Sequence, residues 1–546
     1  MYEELANLLF PNLPLTVEEI EDKYKARDLK EGAMVTRFGP SPTGFMHVGN
    51  LYGAFIGSEL ARQSDGVFYL RIEDTDSKRE VEGATDLILS SLKHFKIYPT
   101  EGFSYGGNYG PYKQSERKDI YQAYAKKLVS EGKAYPCFMS EEEISEIREG
   151  QELRKEAIGI YGVYAVDRDL SLDEVKEHLA KGDSYVIRMK SPGDMHKEIV
   201  LHDMIKGEIV IPENIIDEVL LKKDGIPTYH FAHVVDDHLM HTTHVTRGDE
   251  WIPSFPKHLQ LCQLLGFKPC KYAHIAPLTK KEDGKIRKLS KRKDPEFSVS
   301  YYKEAGIPVD AVRLYLATLA NTNFEEWYLQ NKDKGIEDFT FSFKKMPTGG
   351  TLFDMEKLNN ISRTYFSRLT ALELYNQVLE YSLEYDSDFA KLLTTYKDKV
   401  IAFLNIERDG KRPRKDIAVL KDVKTESSYL YNEIFYKDLT ISYNEVIEEV
   451  DYDILAKYID VYNSDDSQDE WYQKIQKLAE ENNYAPSVKM YKEDETLYKG
   501  HIGSVCEMIR HILTGRNKTP NLYDLLKIIG IDEFKNRLEA YKNNLH

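Results

Sequence analysis

The sequence predicts an α/β fold with a parallel sheet in its N-terminal half, an inserted α+β segment, and an all-α C-terminal half. Three observations indicate this organisation. Residues 35–72 combine short apolar runs with one helical pattern, residues 135–225 mix acidic helical stretches with short strands, and helical spacing dominates beyond residue 310. Because 546 residues exceed what one hydrophobic core usually supports, we expect several domains.

The first strand–helix–strand unit occupies residues 35–72. Val35 begins the apolar strand VTRF, which runs into a loop rich in glycine and proline. From Val48 the apolar residues recur at helical spacing, and we expect this helix to end near residues 64–66, with Gly66 as its C-terminal stop. The run VFYLRI, residues 67–72, is typical of a buried parallel strand. Ligands of such units bind at the carboxyl ends of the strands, so the loop after VTRF is a candidate site.

Later segments continue this organisation. Residues 1–33 predict a short helical extension, and residues 112–131 predict one amphipathic helix. After the insertion, we expect residues 229–237 (YHFAHVVDD) and 241–251 (HTTHVTRGDEW) to form buried strands. A helix is expected to begin near Pro308, because proline is favoured in the first turn of a helix.

The composition excludes several classes of protein. No apolar run reaches the ~18 residues of a membrane span, and the acidic N-terminus lacks the pattern of a secretory signal. Four cysteines without C-x-x-C spacing predict reduced thiols in a cytoplasmic protein. A net charge of −17 argues against bulk attraction to nucleic acid, although local basic runs occur at residues 280–293 and 408–416.

Two motifs far apart in the sequence carry the chemistry. In PSPTGFMHVGN (40–50), glycines at a strand-to-helix junction let the backbone approach a phosphate, and His47 can donate a hydrogen bond to a phosphoryl oxygen. In KLSKR (288–292), Lys288 and Lys291 supply mobile charges for a polyphosphate. Alone, each motif also fits an ordinary turn with a capping histidine or a solvated basic loop. Together, in this order, they predict a nucleotide site.

With these two motifs, the chain resembles class I aminoacyl-tRNA synthetases, specifically the bacterial glutamyl-tRNA synthetase family. Further segments that are similar to the family are LRIEDTD (70–76), GPYKQSER (110–117), KAYPCF (133–138), GIPTYHFAHVVDDHLM (225–240), HVTRGDEW (244–251) and ILTGRNKTPNLYDLL (512–526). The motifs cover residues 35–295 densely and the helical half loosely.

The resemblance implies a Rossmann-type catalytic domain with an inserted acceptor-binding domain, followed by an all-α anticodon-binding half. The implied segments are an N-terminal helical extension (1–33), the first half of the catalytic domain (34–134), the acceptor-stem-binding insertion (135–225), the second half of the catalytic domain with the KLSKR loop (226–295), a stem-contact helical region (296–350) and the helical anticodon-binding region (351–546).

The implied activity is the attachment of glutamate to tRNA(Glu), with ATP and Mg²⁺. The α-carboxylate of glutamate attacks the α-phosphorus of ATP, pyrophosphate leaves, and the glutamyl group passes to the 3′-terminal adenosine. No protein nucleophile is needed, so catalysis depends on positioning and on charge stabilisation. The resemblance assigns catalysis to His47, Lys288 and Lys291, and ATP binding to these three with Gly49, Asn50, Glu250 and Trp251.

The implied amino-acid pocket must recognise two carboxylates and one ammonium group. The family pattern builds it from Arg37, Ser41, Glu73, Tyr229, His233 and Arg247. Arginine suits a carboxylate because its planar fork binds two oxygens, so Arg37 and Arg247 are assigned to the carboxylates and Glu73 to the ammonium. An interior salt bridge to Asp249 or to a neighbour is the alternative for Arg247.

Two features depart from the family pattern. Many bacterial members carry asparagine where this chain has His233, although histidine can also donate a hydrogen bond. Some members bind zinc through a C-x-C pair, but the corresponding Cys137 is followed two residues later by Met139. We therefore predict no structural zinc and no other protein-held metal. The run of His238, His241 and His244 is interpreted as core or surface histidines.

The expected partners are tRNA(Glu), glutamate and ATP, with no membrane, and the protein is expected to be monomeric. The insertion would meet the acceptor end of the tRNA. The run RDGKRPRKD supplies candidate contacts to tRNA phosphates, although a solvated surface is an equally good interpretation; its basic residues are Arg408, Lys411, Arg412, Arg414 and Lys415.

Several other functions share part of these motifs. A glutaminyl-tRNA synthetase has the same core but usually a β-barrel anticodon region, and a non-discriminating enzyme would also charge tRNA(Gln) with glutamate. A tRNA-modifying glutamyl transferase lacks the anticodon region. An adenylyltransferase would explain only residues 43–49, and a tRNA-binding paralogue without activity would not require His47 and both lysines.

Overall fold

The computed structural model describes residues 1–76, 78–331, 333–442 and 450–544, and the chain forms two compact units. The first unit comprises Met1–Tyr301 and Arg313–Asp354, and the second comprises Tyr302–Val312 and Met355–His546. Among the described residues, no helix is both long enough and apolar enough to span a bilayer.

The strands belong to the first unit. They are β1 (Val35–Phe38), β2 (Val67–Leu70), β3 (Glu101–Gly102), β4 (Ala134–Cys137), β5 (Val186–Met189), β6 (Glu198–Asp203), β7 (Gly207–Pro212), β8 (Val219–Leu221), β9 (His244–Gly248), β10 (Lys271–Ile275), β11 (Leu278–Glu282), β12 (Lys285–Lys288) and β13 (Thr351–Leu352).

The helices as far as residue 330 are α1 (Tyr2–Leu9), α2 (Val17–Lys23), α3 (Val48–Gln63), α4 (Ala84–His94), α5 (Lys118–Ser130), α6 (Glu141–Arg154), α7 (Leu172–Lys181), α8 (Tyr229–Leu239), α9 (Phe255–Leu265), α10 (Ser300–Ala305), α11 (Val309–Ala320) and α12 (Phe324–Gln330). The helix expected near Pro308 therefore begins at Val309.

The parallel strands bring their carboxyl ends to one edge of the fold. Strands β1, β2 and β3 pair in parallel, with Phe38 opposite Leu70. Strands β9 and β10 pair in parallel, with Ile275 opposite Gly248. The two sheets meet at the start of β1, where the backbone N–H of Thr243 donates to the carbonyl of Val35 at 3.0 Å. This edge holds the loop that follows VTRF.

The segment 135–225 contributes to two different sheets. Strands β4, β5 and β8 form an antiparallel sheet of their own, as an inserted α+β domain requires. Strands β6 and β7 instead form a hairpin that joins β10 through the pair Tyr272–Asp203, in the order β7-β6-β10-β9. The sheet that contains β9 and β10 therefore includes residues from inside the predicted insertion.

One predicted strand was wrong, and one predicted helix end differs only in which residue has the positive φ. The segment 229–237 forms helix α8 rather than a strand, and its residues from Phe231 to Asp237 are all buried, so no polar face marks the helical period. Helix α3 ends at Gln63, and Asp65 rather than Gly66 has the positive φ, at 51°. Gly66 is needed for a different reason, because a Cβ there would overlap the carbonyl of Met34.

The second unit is helical, as the sequence predicts. Beyond residue 354 the described helices are α13 (Met355–Arg368), α14 (Ala371–Tyr385), α15 (Ser387–Thr395), α16 (Lys397–Asn405), α17 (Asp422–Glu426), α18 (Asn432–Ser442), α19 (Tyr452–Val461), α20 (Gln468–Glu481), α21 (Val488–Glu493), α22 (Ile502–Thr514), α23 (Leu522–Ile529) and α24 (Ile531–Asn544). Their apolar faces share one core, which includes Val378, Phe403, Ile475 and Ile509.

Candidate active site

A cavity of about 1320 Å³ opens at the carboxyl ends of β1, β2, β9 and β10. It lies within the first unit. Its walls bring together most of the residues assigned to ATP and glutamate from the sequence, namely Arg37, Ser41, His47, Gly49, Asn50, Glu73, Tyr229, Arg247, Glu250, Trp251, Lys288 and Lys291. These residues come from segments up to 254 positions apart in the chain.

His47 caps helix α3 and takes one tautomer as a result. Its Nδ1 accepts a hydrogen bond from the backbone N–H of Asn50 at 3.2 Å, and the Asn50 side chain accepts from the backbone N–H of His47 at 3.3 Å. A neutral ring that accepts at Nδ1 carries its proton on Nε2. Burial, assisted by Lys288, lowers the pKa of His47 to about 4. The ring is therefore a neutral hydrogen-bond donor at physiological pH.

Gly49 allows this arrangement of His47. A Cβ at position 49 would lie 3.0 Å from Nδ1 of the imidazole, closer than side chains normally approach. On the other side, the His47 ring stacks on Phe297 with centroids 4.7 Å apart. The imidazole itself therefore favours glycine at position 49, because a Cβ there would push the ring aside by a few tenths of an ångström.

The KLSKR loop is held by a buried carboxylate. Asp294 accepts from Nη1 and Nη2 of Arg287 at 2.6 and 2.8 Å, and from the backbone N–H of Ser290 at 2.9 Å. These hydrogen bonds hold the pKa of Asp294 well below its usual range. Lys288, on the cavity wall, lies 3.7 Å from the carboxylate of Glu250. Lys291 lies on the same wall, 5.7 Å from the ring of Phe45.

Arg37 and Glu73 belong to a network of buried charges. Asp237 accepts from Arg37 Nε at 3.3 Å and from Arg71 Nη1 at 2.7 Å. Arg71 Nη2 also donates to Glu73 at 2.8 Å. Burial alone would raise the pKa of Asp237, but the two arginines hold it below its usual value. Burial raises the pKa of Glu73 against the influence of Arg71.

Arg247 does not form the salt bridge that was the alternative for it. Asp249 pairs with Lys206 at 3.1 Å instead. Arg247 donates to His274 Nε2 and His258 Nδ1, both at 3.0 Å. The side chain is thus oriented toward the cavity by neutral acceptors.

The structure does not bring His233 to the cavity wall. The residue is fully buried, and its Nδ1 lies 3.2 Å from Arg37 Nη2 while its Nε2 lies 3.0 Å from the hydroxyl of Tyr272. Because a guanidinium only donates, Nδ1 of His233 accepts from Arg37. In this structure His233 supports Arg37, and a contact of its own with glutamate stays a prediction.

The basic run 408–416 divides into two kinds of residue. Arg408 donates to the carbonyls of Phe366 and Leu369, both at 2.7 Å, so its guanidinium caps protein backbone. Arg414 pairs with Asp416 at 2.9 Å. The remaining three predicted contacts, Lys411, Arg412 and Lys415, are exposed.

The described residues contain no group of three His, Cys, Asp or Glu side chains arranged to hold a metal ion. Cys137 is buried, and burial raises the pKa of its thiol. His238, His241 and His244 each have a separate partner, namely Glu21, the carbonyl of Tyr24 and the hydroxyl of Thr243. Glu250, the carboxylate beside Lys288, also lies on the cavity wall.

Sequence reasoning missed the residues that hold the cavity residues in place. Arg71, Asp237 and Asp294 are nearly inaccessible to solvent, and each pairs with a residue of opposite charge. The sequence does mark two of these residues, because Arg71 and Asp237 interrupt apolar runs. A charge in such a run is expected to be buried, and a buried charge requires a partner. The identity of that partner depends on contacts between distant segments.

Comparisons with known proteins agree with this site. The family model described as "tRNA synthetases class I (E and Q), catalytic domain" matches residues 33–360, and the model "Anticodon binding domain" matches residues 374–542. A glutamate–tRNA ligase of Acetivibrio thermocellus is 46% identical over 98% of this chain and 99% of the relative. One from Clostridium perfringens is 44% identical over 98% of this chain and 100% of the relative.

Solved structures give the same result. A glutamate-tRNA synthetase from Elizabethkingia anophelis is 27% identical, with a TM-score of 0.73 over 93% of this chain and 99% of that chain. A glutamate tRNA ligase from Elizabethkingia meningosepticum, solved with its amino acid, is 28% identical, with a TM-score of 0.71 over the same shares. The predicted fold class and resemblance are thereby confirmed, and the chain belongs to the class I tRNA synthetases, within the glutamate–tRNA ligases.

Proposed function

We propose that this chain attaches glutamate to tRNA(Glu) in two steps, through a glutamyl-adenylate. The observation that carries the proposal is a single cavity whose walls hold His47, Lys288 and Lys291 together with Arg37 and Arg247. Three of these groups suit the phosphates of ATP, and two suit the carboxylates of the amino acid. A cavity of about 1320 Å³ has room for both substrates.

The nucleotide step uses charge stabilisation. The carboxylate of glutamate attacks the α-phosphorus of ATP, and the bond to pyrophosphate breaks. His47 would donate its Nε2–H to an oxygen on which charge develops, and it needs no proton transfer because the ring stays neutral. Lys288 and Lys291 would stabilise the leaving pyrophosphate. ATP enters with Mg²⁺, which neutralises phosphate charge, and Glu250 is the nearby carboxylate that could hold it.

The amino-acid end of the cavity is built for two carboxylates. Arg37 and Arg247 would bind them, Glu73 would accept from the ammonium, and Ser41 and Tyr229 would complete the wall. Arg71 and Asp237 keep Arg37 and Glu73 in place, because Asp237 accepts from both arginines and Arg71 also donates to Glu73.

In the second step a ribose hydroxyl of the terminal adenosine attacks the glutamyl carbonyl, and AMP leaves. We propose that the insertion receives the acceptor end of the tRNA and that the helical unit meets the anticodon arm. Within the basic run, the exposed Lys411, Arg412 and Lys415 are the candidates for phosphate contacts. We expect the enzyme to act in the cytoplasm, where tRNA is charged, and as a monomer.

Aminoacylation of purified tRNA(Glu) and tRNA(Gln) with labelled glutamate and, separately, labelled glutamine tests this function. We expect glutamate to be attached to tRNA(Glu) in an ATP-dependent reaction, and glutamine to be attached to neither tRNA. Charging of tRNA(Gln) with glutamate would extend the function to a non-discriminating enzyme. Charging of tRNA(Gln) with glutamine, without glutamate transfer, would refute it.

A further inference from the structure

Arg247 has an uncommon set of neighbours for a buried arginine. Its Nε donates to His274 Nε2 at 3.0 Å, its Nη1 donates to His258 Nδ1 at 3.0 Å, and its Nη2 reaches the carbonyl of Trp251 at 3.4 Å. Its guanidinium carbon lies 4.7 Å from the ring centroid of Tyr272. Every contact is with a neutral group.

The other arginines near the cavity are held differently. Arg37 faces Asp237 at 3.3 Å, and Arg71 binds both Asp237 and Glu73. Within the described residues, no carboxylate forms an ion pair with Arg247. A carboxylate would neutralise the guanidinium and occupy its fork, whereas an imidazole nitrogen offers one lone pair and no charge. Arg247 is thus oriented while its charge remains available.

The direction of the hydrogen bonds follows from the chemistry of arginine. A guanidinium only donates, so His274 Nε2 and His258 Nδ1 must accept, and each ring carries its proton on the opposite nitrogen. The Nδ1–H of His274 donates to Asp203 at 2.7 Å, and the Nε2–H of His258 donates to His230 Nδ1 at 2.9 Å. Each imidazole is therefore fixed between Arg247 and a second partner.

We propose that His258 and His274 are positioning residues for amino-acid recognition, which orient Arg247 and leave its full charge to a carboxylate of the substrate. The inference rests on the proposed function, because it takes glutamate as the ligand of Arg247. Burial lowers the pKa of both imidazoles, which agrees with their neutral form in the structure. Neither side chain lines the cavity, so both act through Arg247.

Paired variants separate this role from a general structural one. His258→Leu and His274→Met remove the acceptor, whereas His258→Asn and His274→Gln can place an amide oxygen where Nδ1 or Nε2 was. In ATP–pyrophosphate exchange with tRNA present, we expect the first pair to raise the KM for glutamate about tenfold, with kcat and the KM for ATP nearly unchanged. The amide pair should restore most of the glutamate affinity.

Two further variants sharpen the test. His258→Glu keeps an acceptor but adds a negative charge, so we expect it to raise the KM for glutamate as much as His258→Leu does. His238→Gln is the matched control, because His238 is a half-buried histidine bonded to Glu21 and should leave that KM unchanged.

The outcomes distinguish the inference from the function beneath it. The inference would be overturned, while the function stands, if His258→Leu and His274→Met kept the wild-type KM for glutamate or raised the KM for ATP equally. A wild-type KM for glutamate in His258→Glu would overturn it too. Wild-type enzyme that shows no glutamate-dependent exchange would overturn the proposed function itself.

Discussion

In His47 one ring combines an observed structural role with the chemical role that we propose for it. Its Nδ1 caps helix α3 through the backbone N–H of Asn50, which leaves the proton on Nε2, and its pKa of about 4 keeps the ring neutral. A catalytic histidine with an ordinary pKa near 6.5 would change its charge within the physiological range. In the proposed reaction His47 would act as a fixed dipole instead.

A pH profile can test that description of His47. We expect His47→Ala to slow ATP–pyrophosphate exchange by about 100-fold, the usual effect of removing one donor to a developing charge. The ratio of wild-type to variant rates should stay constant from pH 5.5 to 8.5, because the ring titrates below this range. A ratio that falls or rises through pH 6.5 would contradict the neutral-donor role.

The two lysines of the KLSKR loop have different surroundings. Lys288 lies 3.7 Å from the carboxylate of Glu250, so part of its charge is already compensated. Lys291 lies against the ring of Phe45 instead, and no carboxylate in the described part of the chain pairs with it. In the proposed reaction, Lys291 would therefore have more charge to offer to pyrophosphate.

We expect Lys291→Ala to lower kcat for ATP–pyrophosphate exchange by about 100-fold, and Lys288→Ala by about tenfold. The affinity for tRNA, measured by filter binding, should change less than about twofold in either variant, because one exposed cation contributes little to a large interface. If Lys291→Ala weakens tRNA binding as much as exchange, the pyrophosphate role is wrong.

Helices α3 and α22 begin with the same local structure. Each has a histidine at its N-cap, a glycine two residues later and a polar side chain at the third position, in the sequences HVGN and HIGS. In both, the histidine accepts from the third backbone N–H, at 3.2 Å for His47 and 3.3 Å for His501. The pattern H-x-G-polar is thus a helix cap in its own right, and its presence in a sequence does not by itself indicate a nucleotide site.

This repetition provides a matched pair of variants. A Cβ at Gly49 would lie 3.0 Å from the ring of His47, and a Cβ at Gly503 would lie 2.6 Å from the ring of His501. We expect Gly49→Ala to displace His47 and slow ATP–pyrophosphate exchange by about tenfold or more. Gly503→Ala makes the same local change in the other unit and should leave exchange within about twofold of wild type. Equal losses in both would show that the effect is general destabilisation.

The elements that could be predicted from the sequence are those with one short buried run or a clear helical spacing of apolar residues. Strands β1 and β2 fall close to their expected bounds for the first reason, and helix α3 for the second. Helix α8 could not be identified, because it is buried on nearly every side and its valines favour strands.

The candidate site, too, could be predicted from the sequence only in part. Motif residues such as His47 and Lys291 could be identified because their chemistry is local to a motif. The pairs Arg37–Asp237 and Arg247–His274 could not be predicted, because they join segments 200 and 27 residues apart in the chain. Only the packing of β1, α8, β9 and β10 brings these partners together.

The fifteen histidines of the chain are distributed unequally between the two units. In the first unit, burial lowers the pKa of His47, His230, His233, His238, His244, His258 and His274. In the described part of the second unit, only His511 has a lowered pKa. Acid should therefore destabilise the two units to different extents.

The sign follows from proton uptake. Such a histidine has a pKa near 6.5 in the unfolded chain and a lower pKa in the folded protein. At any pH between these two pKa values, it binds a proton only when the protein unfolds. Stability is then complete above about pH 6.5 and is lost as the pH falls toward the folded pKa, which is about 4 for His47 and His244. Glu73 and Asp217 have raised pKa values, so they favour the folded state as the pH falls. They are only two groups, however, against seven histidines with lowered pKa values.

Calorimetry at pH 7.5 and pH 5.5 tests this asymmetry. Each unit has its own core, so we expect two thermal transitions, and ATP with glutamate should raise the Tm of the first unit and thereby assign it. A histidine whose folded pKa lies well below this interval, such as His47 or His244, costs about 1 kcal/mol of unfolding free energy between pH 7.5 and pH 5.5, so the first unit should lose several degrees more than the second. Equal shifts of both transitions would show that these imidazoles are not neutral in the folded protein.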